Sequence, residues 1–483
     1  MPAAGVIGIM KRALLRSGFL AALLLVAHTL SLSASAEPAD DRPVATLTPA
    51  MGAPVATSRA ALLARHGHTE REWWLSGQAR VYDRAGAWDA DGRWGVAPRP
   101  GSARPYATRL LVRHPADAAR FNGIVLVEWL NTTLGFDLDG GWILTRDELL
   151  REGYAWVGVS VQAEALPGLR ALGGTRYETV NLPGDAHAWD LYADAAHTVR
   201  RQATRLLELP APRPVRLVGL GYSQSAVFLT TWLNAFEPAR RLFDGFLLHG
   251  AAPAAGPLHG DDSHVYAPRL RADLPVPVMQ VQTEMEVAVS WPLSRTPDTP
   301  RVRYWEVAGA AHLDADVHAQ THAVATPAWR ADEPRCLKPL NTLPLRHADA
   351  AALHALRRWM TEGVPPPIVP RMARGHIGFL THDDDGNVVG GLRLPELAVP
   401  LAQFGTYGNL PTSWPSVRGL YTCIAGGSTT PLSLQRLQQR HGNRDAWLQA
   451  LQRSADPLRD AGLLRPADHA ATLETARRTA WPR

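Results

Sequence analysis

The chain has 483 residues, 46% of them hydrophobic and 20% charged. That composition is globular and excludes a disordered or collagen-like protein. The net charge of +5 overstates the basicity. Lys11, Arg12 and Arg16 fall in the first 36 residues, which hold no acid, and the remainder carries 47 basic and 45 acidic residues, a net of +2. No basic run interleaved with aromatics occurs, which argues against nucleic-acid binding. Two cysteines are too few for a disulfide-rich scaffold or a four-thiolate zinc site.

The N-terminus reads as an export signal. Lys11, Arg12 and Arg16 precede the apolar run Gly18–Ala27, and Ala34-Ser35-Ala36 fits a small-residue cleavage site before Glu37. A start at Met10 gives the same signal in a shorter form. The mature protein is therefore expected to be secreted or periplasmic, where disulfides persist. No later stretch is long and apolar enough to span a bilayer, so no stable membrane span is expected after signal removal.

Seven short aliphatic and β-branched runs follow: Arg109–Arg113, Gly123–Asn131, Tyr154–Gln162, Val215–Gly221, Phe243–His249, Val276–Thr283 and Val302–Val307. Continuous apolarity suits strands buried on both faces. Helical patterns lie between several of them. Thr145–Glu152 stops at Gly153, and Asp185–Glu208 carries Trp189, Tyr192, Ala196, Val199, Ala203 and Leu206 on one face. This alternation predicts an α/β fold with a mainly parallel sheet flanked by helices. Asp349–Thr361 predicts another helix that docks on the sheet. After Pro365-Pro366-Pro367 come a turn at Asp384-Asp385-Gly386-Asn387 and polar helices near Leu432–Arg440 and Arg444–Arg453.

The sharpest local signal is Gly221-Tyr222-Ser223-Gln224-Ser225, placed between the strand Val215–Gly221 and the helical run Val227–Phe236. A serine at such a strand-to-helix turn projects its Oγ from the sheet edge, and small residues two before and two after it let the two backbones approach. Ser223 is the candidate nucleophile. Ser225 is the rival, but it has Ser223 rather than glycine two residues before it. A nucleophilic serine needs a base and an orienting acid, in the chain order Ser, acid, His in this architecture. Two strand ends supply them. Val276–Thr283 runs into Glu284-Met285-Glu286, and Val302–Val307 runs into Ala308-Gly309-Ala310-Ala311-His312. His312 is the expected base and Glu286 the expected acid, with Glu284 as the alternative and Asp298 a third candidate. The oxyanion hole is expected to use the backbone N–H of Gln224 and a second N–H from Leu130 or Asn131, beside Trp129.

Glu128-Trp129-Leu130-Asn131, the stretch Leu149–Ser160, Gly221-Tyr222-Ser223-Gln224-Ser225-Ala226 and the stretch Trp305–His312 resemble one branch of the α/β-hydrolase superfamily. That branch consists of bacterial, often exported "alpha/beta hydrolase domain" proteins. The likeness extends to Cys336, Asn341 and the stretch Gly386–Arg393. It implies a serine esterase-like triad with Ser223 as nucleophile, His312 as base and the acid position at Glu286, where an aspartate is more usual. The organisation that follows is a signal peptide over 1–36, an α/β-hydrolase catalytic domain over 37–365 and a C-terminal extension over 366–483, packed on it.

The expected activity is cleavage of carboxylic esters, small-molecule or polymeric, through an acyl-enzyme on Ser223, with no metal or organic cofactor. The competing readings are a non-catalytic binding or scaffold protein that keeps the fold, and an amidase or acyltransferase with the same triad. His312, Asp314, Asp316, His318 and His322 crowd together, but their spacing matches no zinc signature. Cys336 and Cys423 are the only cysteines in a chain addressed to an oxidising compartment, so a disulfide is expected to staple the extension to the body.

Overall fold

Nine strands build the central sheet of the computed structural model, which describes residues 43–259, 267–290, 295–375, 378–413 and 417–481. The expected export signal lies outside the described residues. In chain order the strands are β1 (Thr46–Pro49), β2 (His68–Ala79), β3 (Arg104–Pro115), β4 (Ile124–Trp129), β5 (Ala155–Val159), β6 (Arg216–Tyr222), β7 (Gly245–His249), β8 (Val278–Thr283) and β9 (Val302–Val307). Their spatial order is β1-β2-β3-β5-β4-β6-β7-β8-β9. The pairs from β5 through β9 are parallel, whereas β1, β2 and β3 join antiparallel at one side.

The parallel strands are those read from sequence, and they are buried almost throughout. Two apolar cores, one against each face, enclose them. β1 and β2 were not expected. The pattern of β2 is broken by Glu70 and Glu72, yet both are buried, because β3 presents Arg109 and Arg113 to them. Each guanidinium also reaches a carboxylate of the segment after β4: Arg109 pairs with Asp137 and Arg113 with Asp139. A buried charge persists only when it is paired and hydrogen-bonded, so this network holds β2 and β3 in register.

Ten helices matter to the site and its supports: α1 (Gly140–Glu152), α2 (Ala188–Leu206), α3 (Gln224–Thr231), α4 (Glu284–Val289), α5 (Ala315–Val324), α6 (Leu345–Glu362), α7 (Val417–Gly426), α8 (Leu434–His441), α9 (Arg444–Asp460) and α10 (Pro466–Arg478). α1 starts five residues before the expected helix because Glu128 caps it. The Glu128 carboxylate accepts the N–H groups of Gly141 (2.7 Å) and Trp142 (2.9 Å). It ends at Gly153, whose φ of 70° closes a left-handed cap.

The extension packs on the body. Leu392 bridges to Val307, the last residue of β9, and covers the sheet edge there. Arg465, just before α10, pairs with Glu148 and Glu152 of α1, and Asp468 of α10 pairs with Arg151. The expected turn at Asp384–Asn387 forms, with Gly386 at φ 77°, but its flanks make isolated bridges rather than strands. Among the described residues no helix is long and apolar enough to cross a membrane.

Candidate active site

The C-terminal ends of β4, β6, β8 and β9 carry the expected site residues. This is the sheet edge at which parallel α/β folds place their ligands. β6 passes straight into α3, and Ser223 sits at the turn with φ 59° and ψ −121°. That conformation is sparsely populated for a residue with a Cβ. It is held by the Ser223 N–H, which donates to the His249 carbonyl at 2.8 Å. Gly221 is required: a Cβ there would lie 2.9 Å from the Ala226 N and from the Ser225 carbonyl carbon. Ser225 faces the other way. It is fully buried, and its hydroxyl bonds the backbone N–H and C=O of Tyr222, each at 2.9 Å.

His312 reaches the serine from the loop after β9. Its Nε2 lies 2.9 Å from Ser223 Oγ, and its Nδ1 lies 2.6 Å from Glu286 Oε1. With the Nδ1 proton donated to Glu286, Nε2 is the basic nitrogen facing the hydroxyl. The other Glu286 oxygen accepts the Thr283 N–H at 2.9 Å, in a capping box at the start of α4. Burial alone would raise the Glu286 carboxyl. The charge and hydrogen bond of His312, with help from Thr283, outweigh it and hold the acid below the usual carboxylate value. The His312 ring stacks on Tyr222 at 5.1 Å, and the Tyr222 hydroxyl donates to the His312 carbonyl.

Glu284 leaves the same strand end but turns away from the His312 ring. Its Oε2 accepts the Gly309 N–H at 2.8 Å and its Oε1 accepts the Thr406 hydroxyl at 3.2 Å, so it braces the histidine loop against the extension. Asp298 is remote, paired with Arg371 and accepting the Tyr304 N–H. The crowded residues after His312 have separate duties. Asp314 caps α5, Asp316 pairs with Arg146, and His318 and His322 face Glu333. Among the described residues no group of three or more His, Cys, Asp or Glu could hold a metal ion.

The oxyanion expectation needs correcting in one half. Gln224 opens α3, so its N–H has no partner within the helix. The N–H of Leu130 instead donates to the Val159 carbonyl (3.3 Å), and that of Asn131 donates to the Leu138 carbonyl (3.1 Å). Both are spent on the backbone ladder and cannot face a substrate. Asn131 acts through its side chain, whose Nδ2 donates to the Tyr222 carbonyl at 2.9 Å and steadies the elbow. Trp129 is fully buried, stacked on Phe228 at 5.0 Å, and is a core residue rather than a pocket wall.

Sequence reasoning missed Tyr421 of α7. Its ring stands edge-on to His312 with centroids 6.3 Å apart. No local motif marks it. The nearest hint is Cys423, two residues on, which forms the expected disulfide with Cys336 at a Cα–Cα distance of 5.5 Å.

A strand–elbow–helix with serine, acid and histidine following the ends of β6, β8 and β9 is the arrangement of one hydrolase superfamily, and the model of the "Alpha/beta hydrolase domain" family matches residues 38–474. The chain belongs to that family. Among curated proteins no sequence matches it. Solved structures similar to this alpha/beta hydrolase domain protein include a serine hydrolase without lid from Xanthomonas campestris, at 12% identity and a TM-score of 0.29, covering 50% of this chain and 94% of that one. One of two fungal esterases from Rhizomucor miehei aligns at 14% identity and a TM-score of 0.29, covering 58% and 89%. A thermostable esterase from Pseudomonas putida aligns at 13% identity and a TM-score of 0.27, covering 51% and 78%. Likeness at this level bears on neither substrate nor mechanism.

Proposed function

We propose that this chain is an exported serine hydrolase that cleaves carboxylic esters through an acyl-enzyme on Ser223. One observation carries the reading: an unbroken relay from Ser223 Oγ through His312 to buried Glu286, set at a backbone turn strained in the way a nucleophile elbow is. Ser223 Oγ attacks the ester carbonyl carbon while its proton passes to His312 Nε2. The carbonyl π pair becomes the oxyanion, which the Gln224 N–H meets at the start of α3. Collapse expels the alcohol, which takes the proton from His312. Water then repeats the sequence on the acyl-enzyme and releases the acid. Glu286 stays ionised, fixes the imidazole tautomer and supports the imidazolium. The disulfide and the cationic-apolar N-terminal sequence support a location outside the cytoplasm.

The test is labelling with a fluorophosphonate together with turnover of p-nitrophenyl esters of graded chain length. The wild type should label and turn over. Ser223→Ala should do neither while keeping its fold, and His312→Ala should lose several orders of magnitude in kcat. Full labelling of Ser223→Ala, or a label that moves to Ser225, refutes the assignment.

A further inference from the structure

We propose that His249 and Asp349 are positioning residues, a second buried histidine–carboxylate pair that fixes the end of β7, against which both the nucleophile and the base are aligned. This rests on the serine-hydrolase reading above, whose steps use neither side chain. His249 ends β7 and Asp349 lies in the second turn of α6, each only 1% exposed. His249 Nδ1 lies 2.9 Å from Asp349 Oδ1. The carboxylate accepts, so Nδ1 carries the proton. The other polar atoms of the pair, His249 Nε2 and Asp349 Oδ2, have no hydrogen-bond partner among the described residues. A buried pair closed on itself in this way adds little stability, because desolvation offsets most of the attraction. What it does fix is the direction of the imidazole ring.

Three contacts run from the end of β7 to the site. The His249 carbonyl accepts the Ser223 N–H at 2.8 Å and so holds the strained turn of the nucleophile. The His249 ring stacks on Tyr222, with centroids 5.6 Å apart and planes inclined by 28°. Tyr222 is itself stacked on His312 at 5.1 Å and 21°, and its hydroxyl donates to the His312 carbonyl at 2.8 Å. At Gly250 the backbone, with φ 61°, lies against the base: a Cβ there would be 3.1 Å from both Cε1 and Nδ1 of His312. The His312 ring is thus bounded by Tyr222 and by Gly250, and the Tyr222 ring by His249.

Asp349 is the anchor that makes this arrangement rigid. Strand pairing holds the β7 backbone, and the Gly250 N–H donates to the Val281 carbonyl at 2.9 Å. Those bonds leave the side-chain torsions of His249 unset. The terminal torsion of a histidine is broad, so without the Nδ1 bond the ring can turn, and the face it offers Tyr222 turns with it. Tyr222 has little room to absorb the change, since a Cβ on Gly140 would already clash with its ring at the start of α1. A rotation of His249 is therefore passed on to His312. Acyl transfer is sensitive to such shifts, because misplacing reacting groups by about 1 Å costs about 10²-fold in rate.

Asp349→Leu removes the acceptor at similar volume, and Asp349→Asn keeps an oxygen for the Nδ1–H. On an ester turned over by the wild type in a Ser223-dependent manner, Asp349→Leu should lower kcat per folded molecule by about 10- to 100-fold with KM held. The rate of fluorophosphonate labelling should fall by the same factor. The downfield proton resonance of His312 Nδ1–H, which the 2.6 Å contact with Glu286 creates, should move. Asp349→Asn should recover most of the rate and return that resonance towards its wild-type position. A pair that served stability alone would shift the urea midpoint of Asp349→Leu and none of these readouts. Full kcat in Asp349→Leu overturns the proposal and leaves the triad standing. A loss in Asp349→Asn as large as that in Asp349→Leu also overturns it, because charge rather than ring direction would then be at work. A wild-type protein without Ser223-dependent turnover overturns both readings. Should Asp349→Leu misfold, combining it with His249→Phe replaces the pair by apolar groups of similar volume, an exchange that buried pairs tolerate. That double variant should show the same loss, and full kcat in it refutes the role.

Discussion

Replacing Cys336 and Cys423 together by alanine should strip the fold of a large share of its stability. The bond closes a loop of 87 residues. In the chain-entropy account, removing a cross-link over that separation frees the unfolded chain by about 4–5 kcal/mol at 25 °C. Cys423 is fully buried, so loss of its sulfur acts in the same direction. The folded state should survive the change, because other contacts bind the same segments. The Leu337 N–H donates to the Leu410 carbonyl and the Thr412 N–H to the Arg335 carbonyl, both at 2.7 Å, and Leu313 remains tied to Ala425. Urea titration of wild type and double variant without reductant measures the difference. The free energy in water should drop by most of the predicted amount, and the m-value should rise slightly as the unfolded chain expands. Added reductant should leave the double variant unchanged. Equal stabilities within about 1 kcal/mol would refute the staple. So would two alkylated cysteines in freshly purified, unreduced wild type.

Glu286→Gln should lower kcat by about 10³–10⁴-fold, since an amide N–H facing His312 Nδ1 favours the wrong tautomer. Glu284→Gln should cost far less, because the amide oxygen still accepts the Gly309 N–H; p-nitrophenyl ester kinetics on both variants decide, and equal losses would undo the distinction. Asp314 tests the buried charge next to the histidine loop. Burial pushes its carboxyl up to about 7 from 3.8, so the folded state keeps a proton that the unfolded chain has released. Its contribution is therefore fully favourable below about pH 4 and is lost as pH rises to about 7, a change of up to about 4 kcal/mol. Asp314→Asn keeps the cap on Val317 and cannot ionise, so its stability relative to wild type should climb over that window in urea titrations at several pH values. A pH-independent difference would contradict the burial argument.

Strands β3 to β9, the glycine cap that ends α1 and the elbow were legible because their signals are local. Continuous apolar runs, a glycine stop after α1 and a serine flanked by small residues each act within a few residues of themselves. The relay residues were legible for a related reason: His312 and Glu286 follow strand ends directly, so predicting the parallel sheet brought their positions to one edge. Choosing between Glu284 and Glu286 was harder. Two residues two apart on one turn point to different neighbours, and only the packed loop shows Glu286 against the ring and Glu284 against the Gly309 N–H.

Other features were beyond any local reading. β2 shows no continuous apolar run, because Glu70 and Glu72 within it are neutralised only once paired with Arg109 and Arg113 of another strand. Leu130 and Asn131 looked like oxyanion donors because a sequence does not show which N–H groups a neighbouring strand or turn consumes. Tyr421 carried no motif at all; its ring stands against His312 because a disulfide and a set of backbone hydrogen bonds bring α7 onto the histidine loop. The sequence by itself determined the elements and the strand ends at which chemistry could sit, since those follow from short-range sterics and apolar periodicity. The tertiary structure decided which polar groups are paired, which are free and which distant side chain meets the histidine ring, because hydrogen bonding saturates and its partners are settled only when the whole chain has packed.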